Sequence, residues 1–449
     1  METFNPGYCT VEGALLQSHD GEQKEIAPLI SAVNLAQGLD RASYRVSILI
    51  ADSIGLLHNF PIKGEEKLYM SLKSHDLQTK MDLNLQLVGV RDVQQAGEKM
   101  TYTIDLLSTS SYGASLKHIT TAFRDKSAKY CATQLFKSGY GNVTETGKAE
   151  TATLYKFTKD ADRVFVAEES TGKMKVTIPH YPPASAMNFM ARKAYSSKSL
   201  SSMFRFFETV KGYFWVTDEW LLQNGKRSGV KKLSYSAGTL IPLDPRKGSA
   251  IIESIESLNF NEQVNTMADL GGGGYKNKVV EIDLVQHTKK VHSYDYLKSK
   301  RSYKGMGGEA PTAEGQKHSN KFIKETFTDS NAPTTFIIRD WSAPGFEAKP
   351  ESAVREEQFN HEIMSNRIAY NYHLTDSSAT ATIKGRLDIK PGDIIDVTVQ
   401  EPDVSLGEGM NKRQSGLYLV FGTEHSIVME ELTTSFSLVK YDWDKGYAG

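Results

Sequence analysis

The feature that most constrains this chain is a two-residue period. Leu83-Asn84-Leu85-Gln86-Leu87-Val88-Gly89-Val90 alternates apolar and polar side chains with almost no break. Successive side chains of a strand point to opposite faces, so this pattern buries one face of a sheet and wets the other. Met100-Thr101-Tyr102-Thr103-Ile104-Asp105-Leu106 repeats it. Val46, Ile48 and Ile50 give segment 44–50 the same spacing, and segment 68–72 follows the turn signal Lys63-Gly64. Short turns separate these segments, which predicts one antiparallel sheet or barrel over residues 1–110. With 21 Tyr, 35 Gly and 14 Pro, the composition also leans to strands and turns.

Beyond residue 110 the period changes. Leu116, Ile119, Phe123, Tyr130 and Leu135 recur at helical spacing and predict a helix across 115–136. Segment 139–148 is polar and glycine-containing and reads as a loop. Pro179, Pro182 and Pro183 hold 177–183 extended, and Pro183 suits the first position of a helix running to Tyr195. Segment 203–216 is the most aromatic of the chain and reads as two strands joined at Lys211-Gly212. Asp218 to Leu222 reads as a short helical turn. Residues 250–264 fit a strand pair or a short helix, and 279–285 is a strand. Residues 298–321 are basic, glycine-rich and poor in apolar side chains, so they read as a long loop. Residues 356–373 suit a helix. Segments 379–383, 393–399, 416–421, 426–429 and 433–440 are strands again, with a Pro391-Gly392 turn between the first two. The strands at the two ends resemble each other in pattern, not in sequence.

Charge and length narrow the function classes. The chain has 449 residues, and its 53 basic and 54 acidic side chains give a formal net charge of −1. That length suggests about three domains, each able to bury a sizeable core. Near-neutrality argues against a dedicated nucleic-acid binder. Cys9 and Cys131 alone make no disulfide framework and no four-cysteine zinc site, and they fit a reducing compartment. Residues 1–16 lack the basic and apolar regions of a signal peptide, and no uncharged apolar run of about 18 residues exists for a membrane span.

The chemical motifs read blandly one by one. Gly271-Gly272-Gly273-Gly274 lacks the Gly-Lys-Ser/Thr ending of a phosphate loop and leads into a strand, so a turn or a tight packing spot is the better reading. His361-Glu362 fails as a zinc-protease motif because position 365 is Ser365. His287 and His292 read as solvated, on opposite faces of a strand. Asp283, Asp295, Glu208 and Asp393 make no acid–base pair at motif spacing, and Asp393 reads as closing its turn. Lys298-Ser299-Lys300-Arg301-Ser302-Tyr303-Lys304 is the clearest basic patch and reads as a solvated loop. Asn142-Val143-Thr144 matches a glycosylation acceptor that carries no weight without a secretion signal. The aromatics Phe204 to Trp215 read as buried hairpin core rather than as a ligand platform.

The order of four motifs is more specific. Lys384-Gly385-Arg386-Leu387-Asp388-Ile389-Lys390-Pro391-Gly392-Asp393-Ile394-Ile395 resembles the strand-turn-strand of phage tail hub proteins. Ser415-Gly416-Leu417-Tyr418-Leu419-Val420 with His425 is similar to the strand that follows it in that family. Phe207-Glu208-Thr209 with Lys211-Gly212-Tyr213-Phe214 resembles the family's hairpin, with Trp215 as a departure at the last position. Gly273, Tyr275, Asn277 and Asp283, then Tyr294-Asp295-Tyr296, are similar to a segment of the baseplate central hub of contractile-tailed phages. The resemblance covers about 185–441; residues 298–353 match nothing in it.

The resemblance implies an α+β, mostly β chain. Two tail-tube-like antiparallel β-barrels lie at 1–110 and at 231–262 with 378–443, a mixed α/β domain lies at 111–230, and an insertion with a long loop lies at 263–377. It implies a homotrimer whose six similar barrels form a ring, sixfold towards the tail tube and threefold towards a trimeric spike. Further implied partners are inner baseplate or wedge proteins, the tape-measure protein and DNA in passage. The implied location is the tail baseplate of a virion assembled in the host cytoplasm. These motifs are structural in the family, so no catalytic, cofactor-binding or metal-binding residue is carried over, and no enzyme activity is implied. A near-neutral channel wall would let DNA pass without holding it. The alternative is a hub-associated lytic or carbohydrate-binding or -cleaving tail protein, with the insert 298–353 or the aromatics around Trp215 as its site.

Overall fold

The computed structural model describes residues 7–60, 62–75, 77–96, 99–149, 152–157, 163–198, 201–227, 229–235, 253–262, 271–274, 276–284, 287–295, 332–338, 363–371, 377–400, 411 and 414–440. The basic run 298–304, the loop 298–321, Tyr275, Tyr296 and His361-Glu362 lie outside the described residues. The fold is mostly β with a helical minority, as the resemblance implied.

Thirteen strands belong to one hydrogen-bonded sheet. Its path runs Ile255–Glu262, Ser377–Lys384, Glu431–Lys440, Gly416–Val428, Ile30–Gly38, Arg45–Asp52, Lys99–Ser108, Thr79–Ala96, Lys67–Ser74, Cys9–Gln17 and Gln23–Glu25. Ile394–Val399 branches off by pairing antiparallel with Gly416–Val428, and Lys231–Tyr235 pairs parallel with Ile394–Val399. The alternation expected from the sequence is realised: in Arg45–Asp52 every second residue, Val46, Ile48, Ile50 and Asp52, is buried. A one-residue slip would turn Val46, Ile48 and Ile50 out to solvent, at about 1.5–3 kcal/mol for each such side chain, so the register is fixed by burial.

The sheet wraps two cores. Leu35, Val46, Ile48, Leu85 and Tyr102 belong to the first, which also takes Leu387, Ile427 and Leu432 from far along the chain. The second gathers Ile383, Ile395, Val397, Tyr418, Phe436 and Leu438. The hairpin Gly416–Val428/Glu431–Lys440 therefore serves both: its tip fills the first core and its base the second. The free ends of each half are brought together by single bridges. Tyr8 bridges Glu431, and the Cys9 amide donates to the Glu430 carbonyl at 2.8 Å. Ser234 bridges Ser254, with its amide donating to the Glu253 carbonyl at 2.9 Å. No full ladder closes either half among the described residues.

The middle of the chain holds a five-stranded sheet, ordered Phe204–Thr209, Gly212–Thr217, Val164–Glu168, Ala152–Phe157 and Val143–Ala149. Helices Ala128–Tyr140 and Pro183–Lys193 pack on it through Phe136, Met187 and Met190. Two expectations differ here. The helix predicted over 115–136 is three elements: helix Thr109–Ser115, strand Ile119–Lys126 and helix Ala128–Tyr140. The run Ile119-Thr120-Thr121 favours strand, and the Ser127 hydroxyl accepts the Tyr130 amide at 3.3 Å, capping a new helix. The loop predicted over 139–148 contains the strand Val143–Ala149, which pairs back on Ala152–Phe157. Its polar side chains leave no apolar signal because its outer face is wet.

Strand Met174–Tyr181 keeps Pro179 by pairing on one side only, with Ile119–Lys126, and by shifting register between Ile178 and Tyr181. A small sheet orders Thr288–Asp295, Lys276–Asp283 and Thr334–Ile338. A helix covers 363–371, inside the predicted 356–373. Residues 255–262, left open between strand pair and helix, are one strand. Among the described residues no helix is long and apolar enough to cross a membrane.

Candidate functional site

The aromatic hairpin is the place where the parts of the chain meet. Phe206, Phe207, Tyr213 and Trp215 are buried, and Phe136, which packs against Phe206 and Tyr213, stacks on Phe165 with centroids 3.9 Å apart. The core reading of these rings is the one realised; Trp215 is 0% exposed and offers no face to a glycan. Gly212 sits at φ +143°, and a Cβ there would lie 1.9 Å from the Val164 carbonyl oxygen. Only glycine lets the parallel strand Val164–Glu168 approach so closely.

Glu208 leaves the hairpin on the side of the first sheet. It is fully buried and accepts hydrogen bonds from the hydroxyls of Ser108 at 2.9 Å and Ser111 at 2.8 Å, and it forms an ion pair with Arg163. Arg163 also donates to the Ser110 hydroxyl at 2.7 Å, and the Tyr213 hydroxyl joins Ser110 and Ser111 at 2.9 and 2.8 Å. Burial disfavours the Arg163 cation, but the carboxylate beside it outweighs this and holds it protonated. Burial, and then the Glu208 charge, push the Tyr213 hydroxyl well above its usual range. A carboxylate with three donors and no exposed surface fixes geometry. Two backbone contacts complete this dock: the Glu208 amide donates to the Arg41 carbonyl at 3.3 Å and the Val210 amide to Gln37 Oε1 at 3.1 Å.

The opposite end of the hairpin holds the helix 363–371 and the C-terminal strands. Asp218 pairs with Arg205 at 2.7 Å and accepts from the Tyr370 hydroxyl. The Arg205 guanidinium lies 5.0 Å from the Phe421 ring centroid. Arg367 donates to the carbonyls of Ala191 and Ser202, both at 2.8 Å, and burial lowers it to about 10. Glu168 accepts the Thr217 amide and hydroxyl at 2.7 Å each. Burial pushes Glu219, next to Asp218, up to about 8. Sequence reasoning missed Arg163, Tyr370 and Arg367. No local pattern marks them, because each acts on a residue far away in the chain.

The hub-like motifs are structural joints. Arg386 makes a fork on Asp388 at 2.7 and 3.0 Å, and Lys231 reaches Asp393 at 2.8 Å. Asp393 closes its turn by accepting the Lys390 amide at 3.2 Å, as read from the sequence. His425 lies under this turn, paired with the Thr434 hydroxyl at 3.0 Å, and burial lowers it to about 4. Asn277 donates to the carbonyls of Gly273 at 3.0 Å and Ser365 at 3.1 Å, which makes the glycine run a packing spot against the helix 363–371. His292 is half-buried, 3.5 Å from Glu281, rather than solvated; the hairpin pairing places Glu281 and His292 on neighbouring strands. His287 sits in the turn before it at φ +52°. Glu208 and Asp393 each hold their own cation, and Asp283 and Asp295 end their strands opposite Thr288 and Lys276. Among the described residues no group of His, Cys, Asp or Glu is placed to hold a metal ion.

The arrangement also presents open strand edges. Thr79–Ala96 pairs with Lys67–Ser74 only up to Gln86. Among the described residues, Gly89–Gln94 pairs with Lys99–Ser108 alone, leaving one open edge with Val88 and Val93 half-exposed. Unpaired strand edges with apolar side chains are templates for another chain.

No family model matches the chain, and no curated protein matches it in sequence. Solved structures do match in fold. A tail protein from Neisseria meningitidis MC58 is 10% identical, with 95% of this chain and 96% of that one aligned at a TM-score of 0.52. The 43 kDa tail protein of prophage MuSo2 from Shewanella oneidensis is 8% identical, with 96% and 98% aligned at a TM-score of 0.49. The E. coli c3393 protein is 10% identical, with 98% and 78% aligned at 0.43; it is described as a type VI secretion system component with structural similarity to the T4 bacteriophage tail proteins gp27 and gp5. At these identities the first likeness is one of fold.

Proposed function

We propose that the chain is a structural, non-enzymatic tail protein, the central hub of a baseplate. The observation that carries the reading is the shared hairpin: Gly416–Val428/Glu431–Lys440 completes two separate strand-walled cores in one chain. Residues 1–110 and residues 231–262 with 378–443 are assigned as the two tube-like units, 111–230 as the mixed domain that joins them and 263–377 as the insertion. Three copies then place six similar units in a ring. Such a ring offers pseudo-sixfold symmetry to a tail tube and threefold symmetry to a spike, and it gives tube assembly a starting platform. Ring closure would cover open edges such as Gly89–Gln94. The tail tube, a trimeric spike, inner baseplate or wedge proteins and a tape-measure protein are the assigned partners, with DNA passing through the channel of the virion tail. The full tail-protein fold of similar length supports this reading. The test is electron microscopy with light scattering on the purified chain, alone and with its spike. A ring of three chain masses with a central channel is expected. A monomer under both conditions overturns the proposal.

A further inference from the structure

Among the described residues, strand Ile119–Lys126 pairs on one side only, with Met174–Tyr181. Beside it runs a groove of about 370 Å³, whose other wall is the helix Ala128–Tyr140. The helix offers Tyr130, Gln134 and Ser138, one residue per turn along one stripe. Thr121 and Phe123, half-buried, turn towards the body of the domain, while Thr120 and Ala122 are exposed. A strand edge walled by a helix is the geometry in which an extended peptide adds as one more strand, held by main-chain hydrogen bonds and selected by side-chain pockets.

Charge selects the occupant. The groove is lined by Arg124 and Lys126 and by no carboxylate. Lys126 Nζ lies 5.0 Å from the centroid of Tyr130, which fixes the cation at the groove mouth. Asp125, which follows Arg124, stands at φ +55° within a register shift, 3.7 Å from Arg124 and largely exposed. The ladder positions 119–123 can pair about five residues, roughly 17 Å of strand. The irregularity beyond Phe123 sets the two cations at the end of that span. We propose that this groove takes an extended segment of a partner polypeptide by strand addition, with acidic side chains at the end next to Arg124 and Lys126.

The test uses the full chain and a fluorescent decapeptide of alternating valine and glutamate, read by anisotropy. Two control probes are the valine–lysine peptide and the valine–glutamate peptide N-methylated at alternate residues. The acidic probe is expected to bind, and the basic and N-methylated probes at least tenfold more weakly. Arg124→Glu with Lys126→Glu changes exposed side chains, leaves the fold intact by circular dichroism, and is expected to cost the acidic probe tenfold or more. Equal binding of the N-methylated probe, indifference to the double charge reversal, or no binding of the acidic probe each overturns the proposal. Self-association of the chain that the charge reversal abolishes also overturns it, because the occupant would then be a second copy.

Discussion

The two halves of the thirteen-stranded sheet differ in how far apart their partners lie in the chain. In the first half Lys67–Ser74 pairs with its successor Thr79–Ala96, which pairs with its own successor Lys99–Ser108, and Ile30–Gly38 pairs with Arg45–Asp52. In the second, Lys231–Tyr235 pairs with Ile394–Val399 and Ile255–Glu262 with Ser377–Lys384, across more than a hundred residues. Both halves bury polar groups, Asp52, Glu66 and Gln86 in the first and His425 with Arg386 among the C-terminal strands. Local hairpins close cheap loops, and long crossings must close costly ones. The second half therefore has the costlier loops to close.

The shared hairpin gives the strongest way to break the comparison. Phe436 and Leu432 lie four residues apart on one strand, yet belong to different cores. Phe436→Ala is expected to cost about 3–5 kcal/mol, and Leu432→Ala about 2–5 kcal/mol. Hydrogen exchange should place the loss of protection in 377–399 for the first variant and in 30–50 for the second. Identical exchange patterns would mean that the halves unfold as one unit.

Acid is next in size. His425 titrates near 4 when folded against 6.5 when unfolded, because burial disfavours its cation. Between these values the unfolded chain binds the extra proton, so the second half loses stability as pH falls from about 6.5 to 4. In the first half Asp52 is held below its usual value. Burial opposes ionisation there, but the amides of Ile54 and Leu57 outweigh it. Its contribution is kept above 3.8 and lost only as pH drops below that. Denaturant titrations read by exchange at pH 7 and 5 should weaken 377–440 and spare 30–108, and His425→Gln should flatten the difference. Equal weakening of both regions would refute the assignment.

The smallest effect sharpens the edge. Val93 is half-exposed on the open part of Thr79–Ala96. Val93→Lys is expected to change the unfolding free energy by less than about 0.5 kcal/mol in a thermal or urea melt. A larger loss would show that the single chain already covers this edge.

Period-two alternation made the first half legible, down to the buried set Val46, Ile48 and Ile50. Pro183 marked the start of its helix, and Lys211-Gly212 marked the hairpin turn. The strand Ile119–Lys126 was not legible because Ile119 and Phe123 fit a helical period as well as a strand's. The strand Val143–Ala149 was not legible because its outward face is polar. Glu208 was visible only as one carboxylate among many, and the residue that gives it meaning, Arg163, carries no signal of its own.

The sequence by itself determined the strands that alternate in period two, their inward faces and the positions where only glycine or proline suits the backbone, because these depend on neighbours one to four residues away. Tertiary structure alone decided that one hairpin completes two cores, and that Glu208, Asp218 and His425 become buried joints. Those outcomes depend on pairings across tens to hundreds of residues, where side chains find a partner, or lose water, only once the whole chain has closed.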